Sequence, residues 1–184
     1  MSRALVRAAM AAGCALLAAG AEAHPLDEVI QAAYLTLAPG EVQLDLEIEP
    51  GSLVAGRIAR VIDANGDGRI SPAEARAYAE RVLAQSSLII DGVAVPLRLD
   101  RIDAPVYGNL VQGDILRIRA VAGRRTRAGP GKISYLNRYD PLKSQCQANV
   151  FLSMGSGWRF TVDSQGHSPD GRRLDVAYRA IRGA

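Results

Sequence analysis

Apolar and polar residues alternate along most of this chain with the period of two that places one face of a strand in a core and the other in water. Val42, Leu44, Leu46 and Ile48 alternate with Gln43, Asp45, Glu47 and Glu49, which predicts a half-buried strand. The preceding Tyr34 to Leu37 segment joins it through Pro39-Gly40, a hairpin turn pair. Leu88 to Ile90 and Val93 to Leu99 flank Asp91-Gly92, a dipeptide that tolerates the positive φ angles of a tight hairpin. Further strands are expected at Ile115 to Val121, Ile133 to Leu136, Ala148 to Leu152, Trp158 to Val162 and Leu174 to Ile181. Eight or nine short strands separated by turns predict a mainly β fold, an antiparallel β-sandwich of immunoglobulin-like or related type, or a barrel-like sheet.

Between Leu53 and Gln85 the period becomes helical. Val54, Ile58, Val61 and Ile62 form one apolar stripe, and Ala75, Tyr78, Ala79, Val82 and Leu83 form another. Ser52 is placed to cap the first helix. Ser71-Pro72-Ala73-Glu74 opens the second with a cap residue, a proline at the first helical position and a glutamate three residues past the cap.

Residues 1–23 read as a secretory signal peptide: Arg3 and Arg7, an apolar stretch from Ala8 to Gly20, then the cleavage motif Ala21-Glu22-Ala23. Ala11-Ala12-Gly13-Cys14 has only a passing likeness to a lipoprotein site, because the apolar core continues after it. A single β-rich domain over 24–184 is expected, with the helical insertion at about 53–85, in the periplasm or secreted. The 184-residue precursor has a formal charge of +3, and removal of Arg3, Arg7 and Glu22 leaves about +2. That small excess argues against nucleic acid as partner, and no run after the signal is long enough to span a bilayer. Cys146 is the only cysteine beyond the signal, which excludes an internal disulfide, and its sequence neighbourhood holds no histidine. No nucleophile elbow, phosphate-cradling glycine loop or zinc-type Cys and His cluster is present, so the chain is not expected to be an enzyme.

The segment between the two helices reads Asp63-Ala64-Asn65-Gly66-Asp67-Gly68-Arg69-Ile70-Ser71-Pro72-Ala73-Glu74. It resembles the twelve-residue loop of the EF-hand calcium-binding family at all its diagnostic positions. A hard divalent ion needs about six to eight oxygens, which forces a chain to wrap around it. Asp63, Asn65 and Asp67 supply side-chain oxygens at positions one, three and five, and Gly68 at six permits the sharp turn. Arg69 contributes its backbone carbonyl, Ser71 a direct or water-mediated contact, and Glu74 two oxygens. An oxygen-only set with a bidentate glutamate favours calcium over magnesium or transition metals. The competing reading is a turn-rich connector with solvated carboxylates. EF-hands usually pair through position eight, here Ile70, and no second loop is evident, so Ile70 must pack elsewhere or dimerise. Arg57, Arg60, Arg69 and Arg76 lower the local attraction for cations, giving an expected affinity of roughly 10⁻⁴ to 10⁻³ M.

Cleavage after Ala23 would place the His24 imidazole beside a free amine, a pair able to chelate copper or nickel. His167 is the only other histidine, and Asp163 is an available oxygen ligand nearby in sequence. The alternative is that both histidines are solvated and hold no metal. Arg117, Arg119, Arg124, Arg125, Arg127 and Lys132 fall within 16 residues and could dock an anionic surface, or form a solvated hairpin loop without interleaved aromatics.

More broadly, the chain is similar to the extracytoplasmic amino-terminal domain of bacterial nickel and cobalt permeases over most of residues 24 to 181. The likeness rests on His24-Pro25-Leu26, the loop Asp63 to Glu74, Leu88-Ile89-Ile90-Asp91-Gly92 and Ile133-Ser134-Tyr135-Leu136-Asn137-Arg138-Tyr139. The family's transport helices have no counterpart here. The resemblance therefore implies a freestanding partner of a membrane metal transporter, or of another periplasmic protein, rather than a transporter. Two functions follow as expectations: a calcium-binding protein with a structural or interaction role, and a periplasmic copper or nickel carrier that uses His24.

Overall fold

A computed structural model describes residues 26–183. The first hairpin pairs β1 (Val29–Ala38) with β2 (Glu41–Pro50), turning at Gly40, whose φ of +87° suits glycine. The inward residues of β2, Val42, Leu44, Leu46 and Ile48, have no exposed surface, as their alternation requires. The outward Asp45 and Glu47 face Arg119 and Arg117 of β6 (Leu116–Gly123) in ion pairs of 2.7 Å each.

The chain folds as two five-stranded sheets. The first has the order β5-β6-β2-β1-β8, with β5 at Arg98–Asp103 and β8 at Ser144–Leu152. The second has the order β4-β3-β7-β10-β9. Its strands are β3 (Ser86–Ile90), β4 (Val93–Val95), β7 (Gly129–Asn137), β9 (Trp158–His167) and β10 (Arg173–Arg182). Leu35, Leu44, Leu46, Ile118, Tyr135, Phe160, Leu174 and Val176 fill one apolar core.

Two expectations about the strands are corrected. Val93 to Leu99 is not one strand: Pro96 has no N–H to continue the ladder, so the chain leaves the second sheet after β4 and joins the edge of the first as β5. The sandwich is also not wholly antiparallel, because β8 runs parallel to β1. The connection from β7 crosses from one sheet to the other and delivers β8 beside the start of β1, where Val29 N–H donates to the Lys143 carbonyl at 2.9 Å.

That crossing buries polar groups. The Gln31 amide donates to the Tyr139 carbonyl and the Ser144 hydroxyl, both at 3.1 Å, and accepts from the Asn137 amide at 2.8 Å. Gln31 and Asn137 are almost fully buried. Each bond therefore satisfies a group that water cannot reach.

The segment after β2 forms α1 (Ala55–Ile62), and α2 follows at Pro72–Leu83. In α2 the buried residues are Ala75, Tyr78, Ala79, Val82 and Leu83, and Ser71 caps it. In α1 Ser52 does not cap; the Gly51 carbonyl instead accepts from Val54 and Ala55 at 2.9 Å as the chain turns off the strand. The buried stripe of α1 is Ala55, Ile58, Ala59 and Ile62, and Val61 points outward. A short α3 (Tyr107–Val111) packs against α1. No helix among the described residues is long and apolar enough to cross a membrane.

Replacing Gln31 by Leu leaves the Asn137 amide without its acceptor in the core. The variant is expected to lose roughly 1–3 kcal/mol, read as a lower urea midpoint at unchanged m-value.

Candidate metal centre

Helix α1 ends where Asp63 N–H donates to the Ala59 carbonyl at 2.9 Å. The Asp63 side chain is buried, with 6% of its surface exposed, and turns back over the following residues. Its Oδ1 accepts from the N–H groups of Gly66 at 2.9 Å and Asp67 at 3.1 Å, and its Oδ2 from Gly68 at 2.9 Å. Three amides can converge on one carboxylate only because Gly66 and Gly68 adopt φ angles of +73° and +75°.

The next side chains continue the ring. Asn65 Oδ1 accepts from Asp67 N–H at 3.0 Å, and Asp67 Oδ1 accepts from Arg69 N–H at 2.9 Å. The Asn65 amide donates to Asp67 Oδ2 at 3.2 Å. The Arg69 side chain is exposed, while Ile70 is half-buried and packs on the sandwich core. Ile70 thus finds its apolar partner within the chain.

Glu74 closes the ring. Its Oε1 accepts from Ala64 N–H at 2.9 Å and Asn65 N–H at 3.2 Å, so the last acidic residue of the segment reaches the first turn after Asp63. Its Oε2 accepts from the Ser71 N–H at 3.0 Å and the Ser71 hydroxyl at 2.7 Å. Ser71 Oγ also lies 3.3 Å from Glu74 N–H, which completes the capping box of α2. These bonds, led by the Ser71 N–H and hydroxyl and then the Asn65 N–H, hold the Glu74 carboxyl below its ordinary pKa.

The donor set is oxygen throughout, which fits a hard cation. The acidic side chains are nevertheless directed at loop N–H groups. Among the described residues no three His, Cys, Asp or Glu side chains gather into a group that could hold a metal ion. Glu74 already uses both oxygens, so an ion taking it as a ligand must displace some of those hydrogen bonds. A cleft of about 360 Å³ opens beside the ring, bounded by Arg60 of α1, Asp63, Asn65 and Tyr107 of α3. Residues 104–113 gave no helical pattern long enough to predict α3. Tyr107 at the ring's edge is thus a residue that the sequence pattern did not reveal.

The second candidate site is not assembled in the described part of the chain. His24 lies outside the described residues. His167 Nε2 sits 2.8 Å from the Ala148 carbonyl, which can only accept, so this nitrogen carries the proton and leaves Nδ1 for any metal. The Gln165 side-chain nitrogen lies 3.1 Å from the same ring nitrogen. Asp163 is four residues from His167 along β9, roughly 13 Å in an extended strand, and its carboxylate faces Arg179 at 3.4 Å.

The arginine-rich stretch is dispersed. Arg117 and Arg119 are paired on the outer face of the first sheet, and Arg124 donates to the Tyr178 hydroxyl beneath the loop. Cys146 is half-buried in β8, and that burial raises its thiol pKa, which suits an inert side chain.

Because the Glu74 pKa is depressed in the folded state, its hydrogen bonds stabilise the protein above the ordinary carboxylate range and are lost as pH falls through the lowered value. Wild type is expected to lose more stability than Glu74→Gln between neutral pH and the acid side of pH 4.5, as urea unfolding across that range would show.

Comparison with known proteins returned no matching protein-family model and no matching curated protein.

Proposed function

We propose that this chain is an extracytoplasmic calcium-binding protein whose single EF-hand-type loop, Asp63 to Glu74, holds the ion in a structural or interaction role. The observation that carries this reading is the closure of the loop by Glu74 on the amides of Ala64 and Asn65. It brings the last acidic residue of the loop back to the first residues after Asp63. Asp63, Asn65, Asp67, the Arg69 carbonyl, Ser71 and both Glu74 oxygens would be the ligands. Exchange of backbone N–H groups for a doubly charged ion at Glu74 is the step that binding requires.

Both flanking helices are already seated on the core through Ile58, Ile62, Tyr78 and Val82. Calcium would therefore tighten the existing helix pair against the sandwich rather than open a new groove. A membrane metal transporter, or another periplasmic protein, would be the partner that senses the tightened state.

With an affinity of roughly 10⁻⁴ to 10⁻³ M, about 10 mM calcium should add about 1.4 to 2.7 kcal/mol of stability and raise Tm by several degrees. Magnesium should do less. Asp63→Ala and Glu74→Gln should abolish the calcium-dependent rise. Absence of calcium heat in calorimetry of the wild type at that concentration would refute the reading.

A further inference from the structure

The edge of a sheet is a row of unpaired N–H and C=O groups, and proteins guard it with charge, brevity or a bulge. The two sheets have four edges, and three are guarded. Strand β5 carries Arg98, Asp100, Arg101 and Asp103 and breaks register between Leu99 and Arg101. Strand β4 has three residues and runs into Pro96. Strand β9 holds a register shift opposite Ala177 and Tyr178, and the charged Arg159 and Asp163. Strand β8, the edge beside β1, has nine residues, none of them charged, and pairs with β1 without a break.

The backbone phase shows which part of that edge is open. Val29 N–H donates to the Lys143 carbonyl and Ser153 N–H to the Leu37 carbonyl, each at 2.9 Å, so the odd-numbered residues of β8 turn their main chain towards β1. The even-numbered residues turn theirs outward. At Cys146 and Ala148 the edge is covered: a Cβ at Gly171 would collide with the Cys146 carbonyl, and His167 meets the Ala148 carbonyl. Val150 and Leu152 keep outward N–H and C=O groups that have no partner among the described residues. Between them Phe151 stands on the outer face, 52% exposed, with Tyr34 beside it at 6.0 Å between ring centroids.

We propose that a second copy of this chain occupies the open edge, β8 against β8 in antiparallel pairing about a twofold axis at Phe151. The unpaired main-chain groups are disposed symmetrically about that residue. In this register Val150 of each copy exchanges both hydrogen bonds with Leu152 of the other. Phe151 then faces its own copy as a non-hydrogen-bonded pair, the arrangement in which side chains approach most closely. On the inner side Val150 lies across from Leu152, and no like charges meet along the strand. An unrelated extended peptide would satisfy the same main-chain groups, but it would need an apolar residue placed opposite Phe151. A second copy carries that residue there by symmetry. The pairing is short, so the dimer is reversible and concentration-dependent. It does not depend on the calcium reading.

Sedimentation velocity of the processed protein from micromolar to millimolar concentration should show a reversible monomer–dimer equilibrium. Phe151→Lys sets like charges face to face and removes an apolar ring from each copy, so association should weaken about 100-fold. Phe151→Tyr should retain it. Because Phe151 is exposed, both variants should keep the wild-type Tm at concentrations where the protein is monomeric. Amide exchange followed by NMR reads the pairing directly. The Val150 and Leu152 N–H groups should exchange more slowly as protein concentration rises, while those of Asn149 and Phe151, which face β1, should not change. A wild-type monomer throughout, free exchange at Val150 and Leu152 at every concentration, or a dimer unaffected by Phe151→Lys would overturn the proposal. Protection of those amides in a species that stays monomeric would assign the edge to another segment of the same chain. Equal protection by a peptide of the β8 residues in scrambled order, with the protein itself monomeric, would assign it to any extended partner. Either result would overturn the second copy.

Discussion

A carboxylate at the carboxyl end of a helix stands against the field of the last carbonyl groups, and Asp63 occupies that place at the end of α1 while almost fully buried. It is held there by the amide hydrogens of Gly66, Asp67 and Gly68. The course of the loop follows, because those amides reach one carboxylate only through two left-handed glycines. The direction of α2 follows in turn from the capping box between Ser71 and Glu74. Amide dipoles offset the Asp63 charge only in part, and Asp67 and Glu74 add two more.

The ring is tied to the rest of the molecule through α2. The Tyr78 hydroxyl meets the Tyr139 hydroxyl at 2.7 Å, with the rings edge-to-face at 5.9 Å. Burial raises the pKa of both, so they remain neutral hydrogen-bonding groups. Tyr139 belongs to the chain that crosses between the sheets, where its N–H donates to Asn137 Oδ1 and its carbonyl accepts from Gln31 and Arg172. The helix leaving the loop is therefore anchored where β7 of one sheet passes to β8 of the other. Ile70 adds a second anchor within the loop itself.

Much of this was legible in the sequence, because alternation reports which face of a strand is buried. It does not report which strand lies next door, and so the parallel neighbour of β1 was invisible. The inward phase of β1 runs Val29, Gln31, Ala33, Leu35 and Leu37, and Gln31 at an inward position was an available sign of a buried polar crossing. Strand β9 extends to His167, beyond the expected Val162, because its residues from Thr161 onward are exposed and carry no apolar alternation. In α1 the larger Val61 drew the stripe to the wrong side, whereas the small Ala59 lets the helix approach the core. The polar loop was readable because Asp63, Asn65, Asp67 and Glu74 are close in sequence. The turn of Glu74 onto the amides of Ala64 and Asn65 was not, since it depends on where α2 points.

The central claim is that this ring of oxygens accepts calcium by exchanging backbone N–H groups for the ion. A calcium titration followed by amide NMR tests it residue by residue. The account predicts saturable shifts at Ala64, Asn65, Gly66, Gly68 and Ser71, with the amides of the sandwich strands little changed. Loop amides that stay fixed at millimolar calcium, or small uniform shifts across the whole chain, would contradict it.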